Sequence, residues 1–137
     1  MYTKIMLPVD LAHIDKLDKA LTTATDLAKH YRIPVCYVGV TAEPPTSVAH
    51  TPKEYSEKLR AFGARQAEQH GLDVTTKAYP SHDPAVDLDR TLIDAAEENG
   101  ADLIVMASHV PGLTDHIFGS NAGAVASYAP VSVFVVR

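Results

Sequence analysis

The sequence predicts one α/β domain in which a parallel sheet carries helices on both faces. Its 137 residues match the length of a single domain. Short apolar runs of strand length alternate with longer segments whose apolar residues recur every three or four positions. This order of elements, β-α-β-α-β-α-β-α-β, requires a parallel sheet with right-handed crossovers. We therefore expect residues 1–137 to form one domain built on a five-stranded sheet.

The first strand is predicted at residues 5–9, a continuous apolar run that Pro8 closes at its carboxyl end. Residues 35–40, rich in β-branched side chains, predict the second strand. Between them lies an amphipathic helix, whose apolar stripe is Ile14, Leu17, Leu21, Ala24, Ala28 and Tyr31.

The second helix is marked at both ends. Thr51 is the expected N-cap with Pro52 at the first helical position, and Gly71 is the expected C-cap after His70. The proline-containing stretch before this helix is predicted to be mostly loop. Residues 73–79 alternate loosely, which suits a third strand near an edge of the sheet.

The third helix is predicted to begin at Pro84, with Asp83 as its N-cap, and to stop at Asn99 and Gly100. The rest of the chain predicts a fourth strand, a loop, a short helix and a final strand: residues 103–106, 108–118, 120–128 and 131–136. The fourth strand is the most apolar, so we expect it in the middle of the sheet.

Composition excludes several classes of function. Apolar residues make up 46% and charged residues 21%, which argues against a disordered or membrane class. The net charge of −5 argues against binding to nucleic acid or to an anionic membrane surface. The single Cys36 cannot form an internal disulfide, and no secretory leader is apparent, so we expect a reducing, cytoplasmic environment.

Three segments fall where open parallel sheets bind ligands, beyond the carboxyl ends of strands at the point where strand order reverses. They are Pro8-Val9-Asp10, Ala107-Ser108-His109 and Gly119-Ser120-Asn121-Ala122. Asp10 could accept hydrogen bonds from ribose hydroxyls, or it could be the N-cap of a turn or helix. The segment that begins at Gly119 precedes a helix, so it could hold a phosphate or form an ordinary helix cap.

Signatures of catalysis are missing. The sequence has no G-x-x-x-x-G-K-[ST], no G-x-S-x-G and no C-x-x-C. Its seven histidines show no metal-ligand spacing, so no metal site is expected. His109 could contact a phosphate or transfer a proton, or it could be a structural hydrogen-bonding residue. We therefore predict no catalytic residues.

The motifs, taken in order, resemble the universal stress protein family over nearly the whole chain. Residues 4–10 resemble its first strand and the acidic residue that ends it, and residues 101–109 resemble its fourth strand. The most specific portion is residues 119–122 followed by residues 129–137. The resemblance implies a Rossmann-like, adenine nucleotide α hydrolase-like fold with sheet order 3-2-1-4-5 and an ATP site across strands one and four.

One part of the family pattern is altered here. Nucleotide-binding members carry G-x-x-G-x9-G-[ST] after the fourth strand, whereas this chain has Ala107 and Val110 at the first two glycine positions. The pattern S-H-x-P from Ser108, followed by G-S-N from Gly119, resembles a short branch of the family that retains nucleotide binding. Gly112 is expected to restore some of the missing flexibility.

By position, the resemblance assigns Pro8, Val9 and Asp10 to the adenine and ribose, with Asp10 on the hydroxyls, and it packs Val40 on the adenine. The base and phosphate path and the phosphate contacts are assigned to Ala107, Ser108, His109, Gly112, Gly119, Ser120, Asn121 and Ala122. Mg²⁺ could accompany the phosphates, although no protein ligand for it is evident.

The resemblance implies a cytoplasmic, ATP-binding stress-response or regulatory protein in which nucleotide occupancy changes assembly or partner choice, with at most very slow hydrolysis. It also implies a homodimer through the last strand, from Val131 to Val136, with tetramers and a membrane transporter as further partners. An apolar edge strand needs covering, which a second copy, a helix or a loop could provide. The alternative function is a nucleotide-free dimeric interaction protein, which the missing glycines favour.

Overall fold

The computed structural model describes residues 1–42, 48–81, 83–108 and 121–137. Its strands are β1 (Ile5–Pro8), β2 (Val35–Ala42), β3 (Val74–Ser81), β4 (Leu103–Ala107) and β5 (Ser132–Val136). Its helices are α1 (Asp18–Tyr31), α2 (Pro52–His70), α3 (Pro84–Glu98) and α4 (Ala122–Tyr128), and a 3₁₀ helix (Leu11–Lys16) precedes α1. The strands pair in parallel in the order β3-β2-β1-β4-β5, which confirms the predicted fold class.

Two apolar clusters hold the helices on the sheet, one on each face. Helices α1 and α2 share one cluster with Ile5, Leu7 and Tyr37, and helices α3 and α4 share the other with Met6 and Cys36. Successive strand residues alternate between the two clusters because side chains along a strand point to opposite faces. β1 is buried on both faces, as its continuous apolar run predicts.

The second helix follows its predicted boundaries. Thr51 is the N-cap, and its hydroxyl accepts a hydrogen bond from the amide of Glu54 at 3.1 Å. Gly71 ends the helix in the left-handed conformation, with φ of 66°. Glycine adopts this conformation without the steric cost that a Cβ atom would bring.

The first predicted helix is divided in the structure. A 3₁₀ helix precedes α1, and Leu17 separates the two. The apolar stripe continues across the break because a spacing of three residues suits a 3₁₀ turn as well as an α-helix. β4 lies inside the sheet as expected, but the central strand is β1, since strand order reverses there.

β1 lies between β2 and β4, but its pairing with β4 stops after two positions. β1 pairs with β2 at four positions, up to Pro8 with Val38, but with β4 at only two, Ile5 with Leu103 and Met6 with Ile104. β4 continues in register with β5 as far as Ala107. β1 and β4 therefore share no register pair beyond Met6, at the end of the sheet where ligands of open α/β folds bind.

No helix in the described ranges is both long and apolar enough to span a bilayer.

Candidate functional site

The candidate site is the crevice between the carboxyl ends of β1 and β4. Beyond β1, the amide of Val9 donates to the carbonyl of Val38 at 2.8 Å, so this segment stays with β2. Beyond β4, the amide of Ser108 donates to the carbonyl of Val136 at 2.7 Å, so that segment stays with β5. The backbone bonds on the outer sides thus hold apart the two segments that flank the crevice.

Asp10 is the buried carboxylate at this crevice, with 7% of its surface exposed. Its Oδ1 accepts a hydrogen bond from the amide of Ala12 at 3.1 Å, which makes Asp10 the N-cap of the 3₁₀ helix. The N-cap interpretation is confirmed, and the ribose contact stays a prediction. The two are compatible in principle, because a carboxylate has about four lone-pair sites and a cap occupies only one of them; His13 contacts the other oxygen.

His13 holds the other oxygen of Asp10. Its Nδ1 lies 2.8 Å from Asp10 Oδ2, and the backbone of His13 departs from helical geometry with φ of −135° and ψ of 42°. This kink occurs in the turn that brings the imidazole back to the carboxylate three residues earlier. Asp10 is therefore fixed from two sides by its own connecting segment.

Three apolar residues of neighbouring strand segments lie at the level of Asp10 or one residue before it. Val9 and Ala107 belong to the cluster under α1 and α2, whereas Val40 belongs to the cluster under α3 and α4. Pro8 pairs with Val38, so Val40 lies two residues further along the neighbouring strand, at the level of Asp10. β2 runs on to Ala42, so Val40 is inside the strand and not at its end as predicted.

The remaining predicted site residues divide into two groups. Counted on from the Met6–Ile104 pair, Ser108 stands at the level of Asp10, and it is buried. Asn121 is the N-cap residue of α4, and Ala122 is the buried first residue of that helix. The other predicted residues lie outside the described residues: His109, Gly112, Gly119 and Ser120.

Two neighbours of Asp10 were not predicted to be site residues, namely His13 and Tyr55. Tyr55 on α2 is buried against β2, so close that a Cβ atom added to Gly39 would lie 2.5 Å from its hydroxyl oxygen. Burial raises the pKa of the Tyr55 phenol, and the negative charge of Asp10 raises that pKa further. A glycine inside an apolar strand, as at Gly39, is the signal that would have indicated such a close approach.

The described residues offer no preformed metal site. No group of three His, Cys, Asp or Glu side chains within them could hold a metal ion. A cation that accompanied a bound phosphate would therefore depend on the phosphate oxygens and water for most of its ligands.

The family model described as the universal stress protein family matches residues 1–137. The chain is similar to universal stress protein G of Shigella flexneri, with 28% identity over 148 aligned positions that cover all of both chains. It is also similar to a solved universal stress protein from Archaeoglobus fulgidus, with 22% identity, a TM-score of 0.72 and full coverage of both chains.

Two further solved structures carry adenine nucleotides. One is the Archaeoglobus fulgidus protein in complex with dAMP, at 21% identity and a TM-score of 0.69, covering 99% of this chain and 98% of that one. The other is a universal stress protein in complex with cAMP, at 17% identity and a TM-score of 0.70, covering 99% and 97%.

Proposed function

The chain belongs to the universal stress protein family, and from that premise we propose that it binds an adenine nucleotide in the crevice between β1 and β4. The observation that carries this proposal is the buried carboxylate of Asp10 at the point where strand order reverses. A ribose presents two neighbouring hydroxyl donors, and Asp10 is an acceptor held in one orientation. The bound dAMP and cAMP of the two structural neighbours support adenine nucleotides as the ligand class, whereas the ribose contact rests on the position of Asp10 alone.

The crevice walls suit the base. Val9 adjoins Asp10, Val40 lies at its level on the neighbouring strand and Ala107 ends β4; all three are buried and apolar. Adenine is a flat ring system with apolar faces, so it gains from such walls while its ribose reaches the acidic residue. We assign the ligand as ATP, with Mg²⁺ carried on its phosphates.

The protein acts in this proposal as a cytoplasmic stress-response regulator, not as an enzyme. Nucleotide occupancy would change its assembly or its choice of partner, a membrane transporter being one partner class. The sequence carries neither G-x-x-x-x-G-K-[ST] nor G-x-S-x-G, the motifs of two large hydrolase classes. Turnover of ATP is therefore expected to be at most very slow.

Calorimetric titration with AMP, and with ATP in the presence and absence of Mg²⁺, tests the proposal. Asp10→Ala should weaken binding by at least about tenfold, because a bidentate contact to ribose contributes roughly 1.5–3 kcal/mol. Asp15→Ala is the matched control: it removes an exposed carboxylate from the same 3₁₀ helix and should leave affinity within about twofold.

Two outcomes would contradict the proposal. Absence of binding heat from every nucleotide at millimolar concentration would show that the protein binds no adenine nucleotide. Equal losses of nucleotide affinity in Asp10→Ala and Asp15→Ala would show that Asp10 does not contact the nucleotide, because a general charge effect would then explain the result.

A second function, a dimeric interaction protein, is favoured by a different observation at β5. This strand pairs with β4 on one side and is the edge of the sheet on the other. Phe134 and Val135 remain 46% and 36% exposed on it. An apolar edge strand of this kind pairs readily with a second strand, so we propose a homodimer through β5, with tetramers formed from such dimers.

Sedimentation equilibrium on Phe134→Lys tests the dimer. A charge in a two-fold strand interface meets its own copy, so the dimer dissociation constant should rise at least about tenfold. Val86→Lys, which replaces a 70% exposed apolar residue on α3, is the control and should leave it unchanged. A monomeric wild-type protein would contradict the proposal, as would equal weakening by both variants.

A further inference from the structure

A second concave region lies beside the crevice, between the 3₁₀ helix and α2. This groove has a volume of about 470 Å³, and its described lining is Leu11, Ala12, Ile14, Val48, Lys58, Ala61 and Arg65. None of these residues belongs to the predicted nucleotide site. The volume falls within the range of small-molecule sites in proteins.

The groove exists because two small residues line it from its two sides. Ala12 on the 3₁₀ helix and Ala61 on α2 are both exposed, and neither side chain fills the space. Its apolar part consists of Leu11, Ile14 and Val48, which are half-buried and pack on the core cluster below. An apolar body placed on these side chains would shield surface that water now contacts.

The charged part of the groove comes from one face of α2. Lys58, Ala61 and Arg65 are spaced three and four residues apart, so they share that face. Lys58 is already engaged: its ammonium lies 3.4 Å from Glu54 Oε1 and donates to the carbonyl of Val48. Among the described residues, no hydrogen bond or ion pair engages the guanidinium of Arg65.

The charged residues that line the groove are opposite in sign to the net charge of the protein. The chain carries a net charge of −5, yet the two charged residues in the described lining are both basic. An exposed arginine beside an apolar surface is suited to a planar anionic group such as a carboxylate, phosphate or sulfonate. Pairing with Arg65 fixes the anionic end of a ligand, and the apolar floor fixes its body.

From these contacts we infer that the groove is a binding site for a small amphipathic anion, with its charged group on Arg65 and its apolar body on Leu11 and Ile14. The site is separate from the nucleotide crevice and adds a second ligand class to the protein. It shares the 3₁₀ helix with Asp10, because Ala12 both lines the groove and donates its amide to that carboxylate.

The probe for the test is 8-anilinonaphthalene-1-sulfonate, which combines an aromatic body with one sulfonate. Fluorescence titration of the full chain should give saturable binding with a stoichiometry of one. Arg65→Glu should weaken it at least about tenfold through loss and reversal of the paired charge. Arg60→Glu is the matched control: it makes the same charge change at an exposed position of α2 outside the groove, and it should leave affinity within about twofold.

A second variant tests the shape of the groove without changing charge. Ala61→Phe places a ring into the space from an exposed helix position, so the fold should be retained while probe binding is lost. The uncharged analogue N-phenyl-1-naphthylamine should bind at least about tenfold more weakly than the sulfonate to the wild-type protein.

The inference is overturned if Arg65→Glu and Arg60→Glu weaken the probe equally, since the effect would then be one of net charge. It is also overturned if Asp10→Ala abolishes probe binding while Ala61→Phe leaves it intact, since the probe would then report the crevice. Failure of nucleotide binding in calorimetry would leave the groove result unaffected, so the two proposals fail separately.

Discussion

The imidazole Nδ1 of His13 lies 2.8 Å from Oδ2 of Asp10, at a kink in the 3₁₀ helix that Asp10 caps. The other carboxylate oxygen of Asp10 is held by the amide of Ala12. Asp10 therefore has a single orientation in the crevice, set by a segment of only four residues. A carboxylate that is oriented before a ligand arrives loses less conformational freedom on binding than one that must be ordered.

This contact predicts that His13→Ala weakens adenine nucleotide binding although His13 need not touch the ligand. Loss of one hydrogen bond to Asp10 should raise the dissociation constant about three- to tenfold, equivalent to roughly 0.7–1.4 kcal/mol. Calorimetric titration with AMP measures the change. His70→Ala at the last residue of α2 is the control, because it removes an imidazole from the end of a different helix. An unchanged affinity in His13→Ala would contradict the prediction, because the other contacts of Asp10, among them the Ala12 amide, would then suffice to position it.

The sequence predicted the strands and the position of Asp10 because these follow from local patterns, whereas the strand order came from the family resemblance. Continuous apolar runs report burial on both faces, and a carboxylate directly after such a run reports the sheet edge where ligands bind. The contact between His13 and Asp10 could not be predicted in the same way. It depends on a backbone kink at His13, and the apolar stripe through Ile14 is compatible with an unbroken helix.

Tyr55 illustrates a second limit of the sequence. It lies on the buried face of α2, at a spacing of four residues from Leu59. Its proximity to Gly39 and its electrostatic interaction with Asp10 depend on how α2 packs across β2, which no local pattern specifies. Residues that come together through packing of distant elements are the part of the site that sequence reasoning missed.

Substitution of Tyr37 by Phe should not lower the free energy of unfolding, in contrast to most substitutions in a core. Its ring is fully buried and meets Phe62 edge-on at 5.3 Å between centroids, while its hydroxyl has no hydrogen-bond partner among the described residues. Tyr37→Phe keeps the ring contact and removes the unpaired polar group. The free energy of unfolding should therefore stay equal or rise by up to about 1 kcal/mol. Urea denaturation measures it.

Tyr79→Phe is the matched control for that substitution. The hydroxyl of Tyr79 accepts a hydrogen bond from Asn99 Nδ2 at 2.8 Å, so its removal should lower the free energy of unfolding by about 0.5–1.5 kcal/mol. Equal destabilisation by Tyr37→Phe would show that the Tyr37 hydroxyl has a partner, such as a buried water.

The pH dependence of stability in the alkaline range provides a second, independent test of the buried Tyr37 hydroxyl. Burial raises the pKa of its phenol from the ordinary value of 10.0 to about 12. Between pH 10 and pH 12 the unfolded chain loses the phenolic proton while the folded chain keeps it, so stability falls as pH rises through this window. In Tyr37→Phe this contribution is absent, and the fall in urea midpoint between pH 9 and pH 11 should be shallower than in the wild type. Parallel curves for the two proteins would contradict this assignment.

We expect the attachment of the amino-terminal segment to Asp102 to weaken at acidic pH. Its carboxylate accepts hydrogen bonds from the amides of Thr3 and Lys4 at 3.0 and 3.1 Å and from the Thr3 hydroxyl at 3.1 Å. Burial acts to raise the pKa of Asp102, but these hydrogen bonds outweigh it and lower the pKa below 3.8. The stabilisation is therefore present above the unfolded value near 3.9 and is lost as pH falls through the lower folded value.

Asp102→Asn should lower the free energy of unfolding at pH 7 by about 1 kcal/mol, which is less than the roughly 1.5–3 kcal/mol typical of hydrogen bonds to a charged group because solvent screens this site. The difference from the wild type should shrink as pH falls below the ordinary aspartate value. Asp26→Asn, at an exposed position on α1, is the control and should change stability by less than about 0.5 kcal/mol. A pH-independent difference would mean that the side-chain shape matters and the charge does not.

Because Tyr55 packs on Gly39, we expect substitutions at these two positions to have coupled effects on the free energy of unfolding. A Cβ atom added at Gly39 would lie 2.5 Å from the Tyr55 hydroxyl oxygen and 2.7 Å from its Cε1 atom. The ring is 5% exposed, so it cannot move aside freely. Gly39→Ala should lower the free energy of unfolding by about 1–3 kcal/mol through overpacking. Gly123→Ala is the control: nothing lies within 4 Å of an added Cβ there, and the change should stabilise α4 by about 0.5–1 kcal/mol.

The double variant Gly39→Ala/Tyr55→Leu separates steric contact from any other cost of the alanine. Leucine lacks the outer ring atoms that the new Cβ would meet, so the double variant should lose less stability than the sum of the single variants by about 1 kcal/mol or more. Additive losses would show that α2 shifts as a whole to accept the methyl group.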